Sequence, residues 1–222
     1  MTTTSGRREY DSSGRKAVSD ATKQRILHAA RERLIERGYR GTRIADVAEA
    51  AGVHVATVYE LVGRKPVLLR ELLEHAISGI DRPVPAEERD YVIAMRRESD
   101  PARKLTIYAA AMRVIQRRLA PLLIALRDAA TTEPDAAAVW REISERRATN
   151  MRTLATDLAE HGGLRDDLSV DDAADFIWAT NSPEVYILMT TERGWSDERY
   201  EAWLTDVWRR YLLPARTGRR RT

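Results

Sequence analysis

Apolar residues return every three or four positions through most of the chain, which is the spacing of one buried helix face. Ile26, Leu27, Ala30 and Leu34 form the first such stripe. It begins near Asp20 or Thr22, either of which suits an N-cap, and it ends at Gly38. Tyr39 and Gly41 make a connection, and Thr42 reads as the N-cap of the next helix. Val67, Leu68, Leu72, Leu73 and Ile77 line a helix from Pro66 to about Gly79. Asp81-Arg82-Pro83-Val84-Pro85 then interrupts the helical pattern, because two prolines prevent continuous helix.

Further on, Ser99-Asp100-Pro101 opens a helix to about Leu119, and Pro121 starts or kinks the next, up to Ala130. Pro134 opens a long helix that ends at His161-Gly162-Gly163. Ser169, with Asp172 three residues on, caps a helix through Phe176 and Trp178, which Pro183 kinks or divides and Gly194 ends. Ser196 caps a last helix carrying Trp203, Leu204, Val207, Trp208, Tyr211 and Leu212, and Pro214 stops it. No sustained period-two run of β-branched and aromatic residues is present, so the chain reads as all-α.

The segment Ile44–Val62, IADVAEAAGVHVATVYELV, carries the most specific pattern. Ala48 stands where only a small side chain lets two helices cross closely. Gly52, four residues later, supplies the positive φ of a tight turn. Val47, Val53 and Val58 fill the wedge between the helices, and Leu61 extends that face. Two short helices joined by such a turn make a helix-turn-helix, whose second helix, about Val55 to Val62, can enter a major groove. The same spacing also suits an ordinary helix pair in a bundle. His54, Thr57 and Tyr59 on its polar face, and Arg64-Lys65 directly after, can bond phosphate oxygens.

Charge sharpens this division. Of the 222 residues, 1–65 hold 13 basic against 8 acidic side chains, 66–208 hold 18 against 26, and 209–222 hold 6 Arg and no acid. The small net charge of +3 hides two basic ends around an acidic middle, and the basic N-terminal part points to a polyanionic partner. Four segments are expected: a disordered basic arm at 1–18, a helix-turn-helix domain at 19–80, a helical domain at 81–214 and a disordered basic tail at 215–222, read as aiding solubility. Zero Cys excludes a disulfide framework and a thiolate metal site. No apolar run nears the roughly 18 residues of a membrane span, and MTTTSGRREYDSSGRK has no secretory h-region, so a cytoplasmic protein with no membrane partner is expected.

Thr22 to about Glu74 resembles the DNA-binding domain of TetR-family transcriptional regulators. The matching residues are Gly38-Tyr39, Thr42, Ile44-Ala45-Asp46-Val47-Ala48, Gly52-Val53, Thr57-Val58-Tyr59 and Lys65. The resemblance implies an N-terminal three-helix helix-turn-helix domain and a C-terminal helical bundle for ligand binding and dimerisation. It also implies that Thr42, Thr57, Tyr59 and Lys65 hold phosphates, that His54 and Ala56 lie nearest base edges, and that Arg43 lies close to the backbone. Glu60-Leu61-Val62 departs from the family's frequent Tyr-His-Phe. Glu60 either accepts from a cytosine amino group or pairs with Arg64 at i, i+4.

By the same resemblance, helices at about 169–191 and 196–213 pair across a two-fold axis. Phe176, Ile177, Ile187, Leu188, Trp203, Leu204, Val207 and Trp208 supply more apolar area than a surface helix usually shows, and either face a partner copy or fill the domain's own core. An effector pocket is expected between the middle helices, with Tyr108, Met112, Ile115, Leu122, Trp140, Met151, Trp178, Asn181 and Tyr186 as candidates. The implied function is a homodimeric repressor released from double-stranded operator DNA by a small-molecule effector, with no cofactor. An enzyme is disfavoured, since His28, His54, His75 and His161 lack metal-ligand spacing and no GxSxG, HExxH, P-loop or GxGxxG occurs. A DNA-architectural protein without an effector is the other rival.

Overall fold

The computed structural model describes residues 12–79 and 84–215. Among them there is no strand, and no helix is long and apolar enough to cross a membrane. The first helix, α1 (Ser12–Gly41), begins earlier than its apolar stripe. Residues 12–18, expected in the arm, are already helical, because extending a formed helix costs far less than nucleating one. The remainder of the arm, 1–11, the tail beyond 215 and most of the 81–85 break lie outside the described residues.

Gly38, at φ 66° and ψ 178°, breaks the helical run inside α1. The broken turn leaves carbonyls to satisfy, and Thr42 does this. Its hydroxyl lies 2.8 Å from Gly38 O and 3.0 Å from Arg33 O, and the residue is 2% exposed. The N-cap of α2 (Ile44–Ala51) is therefore Arg43, not Thr42, and Arg43 N–H donates to Asp46 Oδ2 at 3.2 Å. Helix α2 ends in a Schellman turn: Gly52 is left-handed at φ 65°, Gly52 N–H donates to Glu49 O (3.1 Å) and Val53 N–H to Ala48 O (3.0 Å). This turn aims α3 (Val55–Leu61) across α2, with Val47, Ala48 and Val58 buried at the crossing. Helix α4 (Lys65–Ser78) returns along α1, and Lys23 pairs with Glu71 at 2.8 Å between them.

After a 3₁₀ turn at Ala86–Glu88 and the short α5 (Asp90–Arg97), α6 (Pro101–Ala130) forms the spine of the second half. Leu105, Tyr108, Ala109, Met112, Ile115, Leu119, Leu122, Leu123 and Leu126 recur along it at helical spacing and are buried. Pro121 neither starts nor divides a helix; α6 runs through it. The ring removes the amide that would bond Arg117 O, and packing on several sides holds the helix together. Against α6 lie α7 (Pro134–Glu160), α9 (Pro183–Ile187) and α10 (Asp197–Leu212), while α8 (Val170–Thr180) packs on α7. Pro183 does divide its helix, and Ser169, Ser182 and Ser196 cap α8, α9 and α10 by accepting from the amides of Asp172, Val185 and Arg199. A π-helical turn at Leu188–Glu192 follows α9.

The two halves are tied together at α4. Arg118 Nε on α6 donates to Ala76 O (2.9 Å), and Arg31 on α1 donates to Arg118 O (2.8 Å). On the other side, Arg70 meets Glu142 at 2.9 Å and Arg146 meets Glu74 at 2.5 Å.

Two substitutions test this account. A Cβ on Gly52 meets nothing within 4 Å, so Gly52→Ala carries only the left-handed backbone penalty, a loss of about 1–2 kcal/mol in denaturant unfolding. Thr42→Val leaves carbonyls of the broken turn unpaired and lowers stability by about 1–3 kcal/mol. Unchanged unfolding midpoints would contradict the assigned turn chemistry.

Candidate nucleic-acid interface and sensing cavity

Helix α3 has one buried and one exposed side. Val58 is fully buried, and Val53, Leu61 and Val62 pack beside it. His54, Val55, Ala56, Tyr59 and Glu60 stand exposed together, with Tyr59 at 50%. A half-turn helix face of this kind is what a major groove admits. His54 is the N-cap of α3, and its side chain makes no cap bond, so the imidazole is available for other contacts. Val55 was not among the residues anticipated from sequence. It is an apolar side chain at 40% exposure with the chemistry to meet a thymine methyl. Its signal was its phase, since position 55 falls outside the buried set 53, 58, 61 and 62.

Other anticipated contacts sit differently. Arg43 is exposed at the start of α2, and Thr57 is half-buried. Thr42 is buried with its hydroxyl engaged, which removes that side chain from a phosphate-contacting role. Lys65 is half-buried, with Nζ 3.9 Å above the Tyr39 ring. Burial lowers its pKa, and the charge of Glu133 opposes that shift. Glu133 also pairs with Arg40 at 3.3 Å, so the acidic N-cap of α7 reaches the basic N-terminal half. Glu60 and Arg64 form no ion pair, so the second of the two readings of Glu60, pairing at i, i+4, is absent.

In the second half, a cavity of about 400 Å³ opens between α5, α6 and α7. Tyr91, Val92, Met95, Tyr108, Met151 and Leu154 give it an apolar wall, and Glu87, Arg96 and Asp157 lie at its polar side. Asp157 is held by Lys104, buried at 1% exposure, at 2.5 Å. Of the anticipated pocket residues, Tyr108 and Met151 line this cavity. Ile115 lines a second one of about 380 Å³ beneath Ile77, Ser78, Arg89 and Tyr91. Met112, Leu122 and Tyr186 are buried in packing, and Trp140 sits 6.0 Å under the Arg127 guanidinium. These four do not line either cavity.

Asn181 enters indirectly, through a buried network. Its Nδ2 donates to Tyr108 Oη (3.1 Å), whose hydroxyl faces Met151 Sδ at 3.3 Å. Gln116 Nε2 donates to Asn181 O (2.7 Å) and Oδ1 (3.1 Å). Arg147 donates to Asn181 O (3.0 Å) and Trp178 O (3.3 Å) and lies 5.1 Å over the Trp178 ring. Burial raises the Tyr108 phenol well above its usual range and lowers the Arg147 guanidinium. Gln116 and Arg147 were not anticipated, since nothing local marks a polar residue on a buried helix face.

The apolar residues expected at a two-fold interface divide in two. Ile177, Leu204 and Trp208 are 0% exposed and belong to the chain's own core, with Trp208 Nε1 donating to Thr180 Oγ1 at 2.7 Å. They cannot form an interface without unfolding that core. Phe176, Ile187, Trp203 and Val207 are half-buried, and Leu188 is 44% exposed. Phe176 stacks on Tyr211 at 3.8 Å between α8 and α10.

Residues 26–72, which span α2, α3 and the flanking parts of α1 and α4, match the model of the bacterial regulatory proteins of the tetR family. No curated protein matches the chain at a significant level. Several solved structures share the fold over most of the chain. The regulator FadR from Bacillus subtilis, in complex with stearoyl-CoA, is 18% identical with a TM-score of 0.67, over 83% of this chain and 96% of that one. The fatty acid degradation regulator FadR from Bacillus halodurans is 20% identical with a TM-score of 0.67, over 84% and 92%. A candidate transcriptional regulator from Saccharomonospora viridis, in complex with choline, is 18% identical with a TM-score of 0.65, over 88% and 99%. The model of the bacterial regulatory proteins of the tetR family thus lies across the helix-turn-helix, and these solved structures share the fold of the chain from there through its second half.

Proposed function

We propose that the protein is a repressor that grips double-stranded operator DNA as a homodimer and lets go when a small molecule enters the cavity between α5, α6 and α7. The exposed face of α3 is the observation that carries the DNA half of this reading: His54, Val55, Ala56, Tyr59 and Glu60 make no stabilising contact that would explain them as core. Thr57 and Arg43 flank that face as phosphate contacts. Lys65 joins them by leaving the Tyr39 ring, a short movement for a flexible side chain. Phe176, Ile187, Leu188, Trp203 and Val207 are the residues available to a partner copy, and a dimer supplies the two recognition helices that half-sites one turn apart require.

Tyr108 supports the effector half. Its ring walls the cavity, and its hydroxyl belongs to the network that holds Asn181 at the end of α8. An occupant that displaces Tyr108 changes how Asn181, Gln116 and Arg147 hold the junction of α8 and α9. That junction leads into the half-exposed apolar residues of the dimer face. The effector acts only as far as it prefers one arrangement of this junction over the other. Its body is apolar, as Tyr91, Met95, Met151 and Leu154 require. The FadR structure that contains stearoyl-CoA supports an apolar occupant in this fold.

Selection of DNA from a random pool by the purified protein tests the reading; recovery of no common sequence would defeat it. On the selected site, Tyr59→Ala weakens binding at every salt concentration. Lys65→Ala lowers the slope of log affinity against log salt by about 1. Ligand-induced shifts in melting temperature, read across a panel of apolar metabolites, identify the occupant. Met151→Trp fills the cavity and abolishes the shift while operator binding persists.

A further inference from the structure

A third recess, of about 370 Å³, lies where α1, α4 and α6 meet. It is lined by Gln24, Leu27, His28 and Arg31 from α1, by Leu72, His75 and Ala76 from α4 with Gly79 just beyond it, and by Arg118 from α6. None of these described residues is acidic. Neither Arg31 nor Arg118 forms an ion pair with a described carboxylate. Each commits one end of its fork to a carbonyl, Arg31 to Arg118 O and Arg118 to Ala76 O. The nitrogens NH1 and NH2 of Arg118 lie so close over Gly79 that a Cβ there would be 2.4 Å and 2.6 Å from them. Two guanidinium groups, both partly desolvated, thus line one recess whose described walls hold no carboxylate. Burial lowers the pKa of each, and the charge of Arg31 lowers that of Arg118 further.

We propose that this recess is a binding site for a small oxyanion, the phosphate or carboxylate group of a soluble metabolite, held between Arg31 and Arg118. The remaining N–H groups of the two forks suit planar, bidentate recognition of such a group. The glycine at 79 is what leaves room for the Arg118 fork beside the end of α4. The anion is not a DNA phosphate. The recess lies at the opposite end of α4 from Lys65, about 20 Å away at helical rise. It is also separate from the cavity walled by Tyr108 and Met151, with which it shares no residue. An anion there relieves the repulsion between the two arginines and adds a tie among the helices that join the DNA-binding half to the rest.

Isothermal titration of the full chain, without DNA, tests this with orthophosphate, glycerol phosphate and citrate, against sodium chloride at matched ionic strength. The expected result is saturable binding of at least one oxyanion and none of chloride; which oxyanion binds tighter separates a phosphate from a carboxylate ligand. Arg31→Gln weakens that binding by about tenfold or more. Arg31→Lys keeps the charge without the fork and falls between. Arg152→Gln, which removes an exposed cation paired with Asp171 elsewhere, leaves it unchanged. The absence of saturable binding to the unmodified chain would overturn the proposal, as would equal affinity in Arg31→Gln. Because no operator or effector is used, either result is independent of the repressor reading.

Discussion

Burying a helix that is apolar over most of its circumference requires neighbours on several sides. Helix α6 is such a helix, and α1, α4, α5, α7, α9 and α10 all pack on it. This requirement explains why Pro121 leaves α6 unbroken: contacts along its whole length outweigh one missing hydrogen bond and a crowded turn. It also explains how the two halves of the molecule come to share a wall. Helices α1 and α4, which carry the helix-turn-helix, rest on the same spine as the cavity-lining α5 and α7. Helix α6 thus touches both the cavity wall at Tyr108 and helix α4.

Polar groups buried along that spine are few and specific. Lys104 is neutralised by Asp157, Tyr108 and Gln116 meet at Asn181, and the half-buried Arg118 and Arg31 each give one donor to a carbonyl. Each stands at the edge of a cavity or beside one. A buried polar group that lacks a partner costs free energy, and Gln116 Oε1 and the Tyr200 hydroxyl have none among the described residues.

The helix-turn-helix and the second half also differ in how their geometry arises. In α2 and α3 the determining contacts are local: Gly52 N–H to Glu49 O, Val53 N–H to Ala48 O, and Val58 against Val47. A relation within a dozen residues leaves a readable spacing, which is why this part of the fold and the exposed face of α3 could be located from the residues alone. Helices α7, α8, α9 and α10 were located by the same means, through Pro134, Ser169, Pro183 and Ser196, because caps and prolines act on their own few residues, whereas α5 was missed and α6 was read as two helices.

What the residues alone determined is thus the all-α class, the helix ends marked by Ser169, Ser196, Pro134 and Pro183, and the wedge that aims α3. What tertiary structure decided is which apolar and polar side chains of those helices face inward. Ile177, Leu204 and Trp208 share their stripe with Phe176, Trp203 and Val207, yet the first three are sealed in the core and the others are only half covered. Helical periodicity reports a face, not its neighbour. Thr42 belonged to the cap of α2 by position, but the break at Gly38 offered it carbonyls to bond instead. The cavities came from helices far apart in the chain. Arg31 and Arg118 are 87 positions apart and meet only because α1 and α6 cross, a relation that no local spacing records.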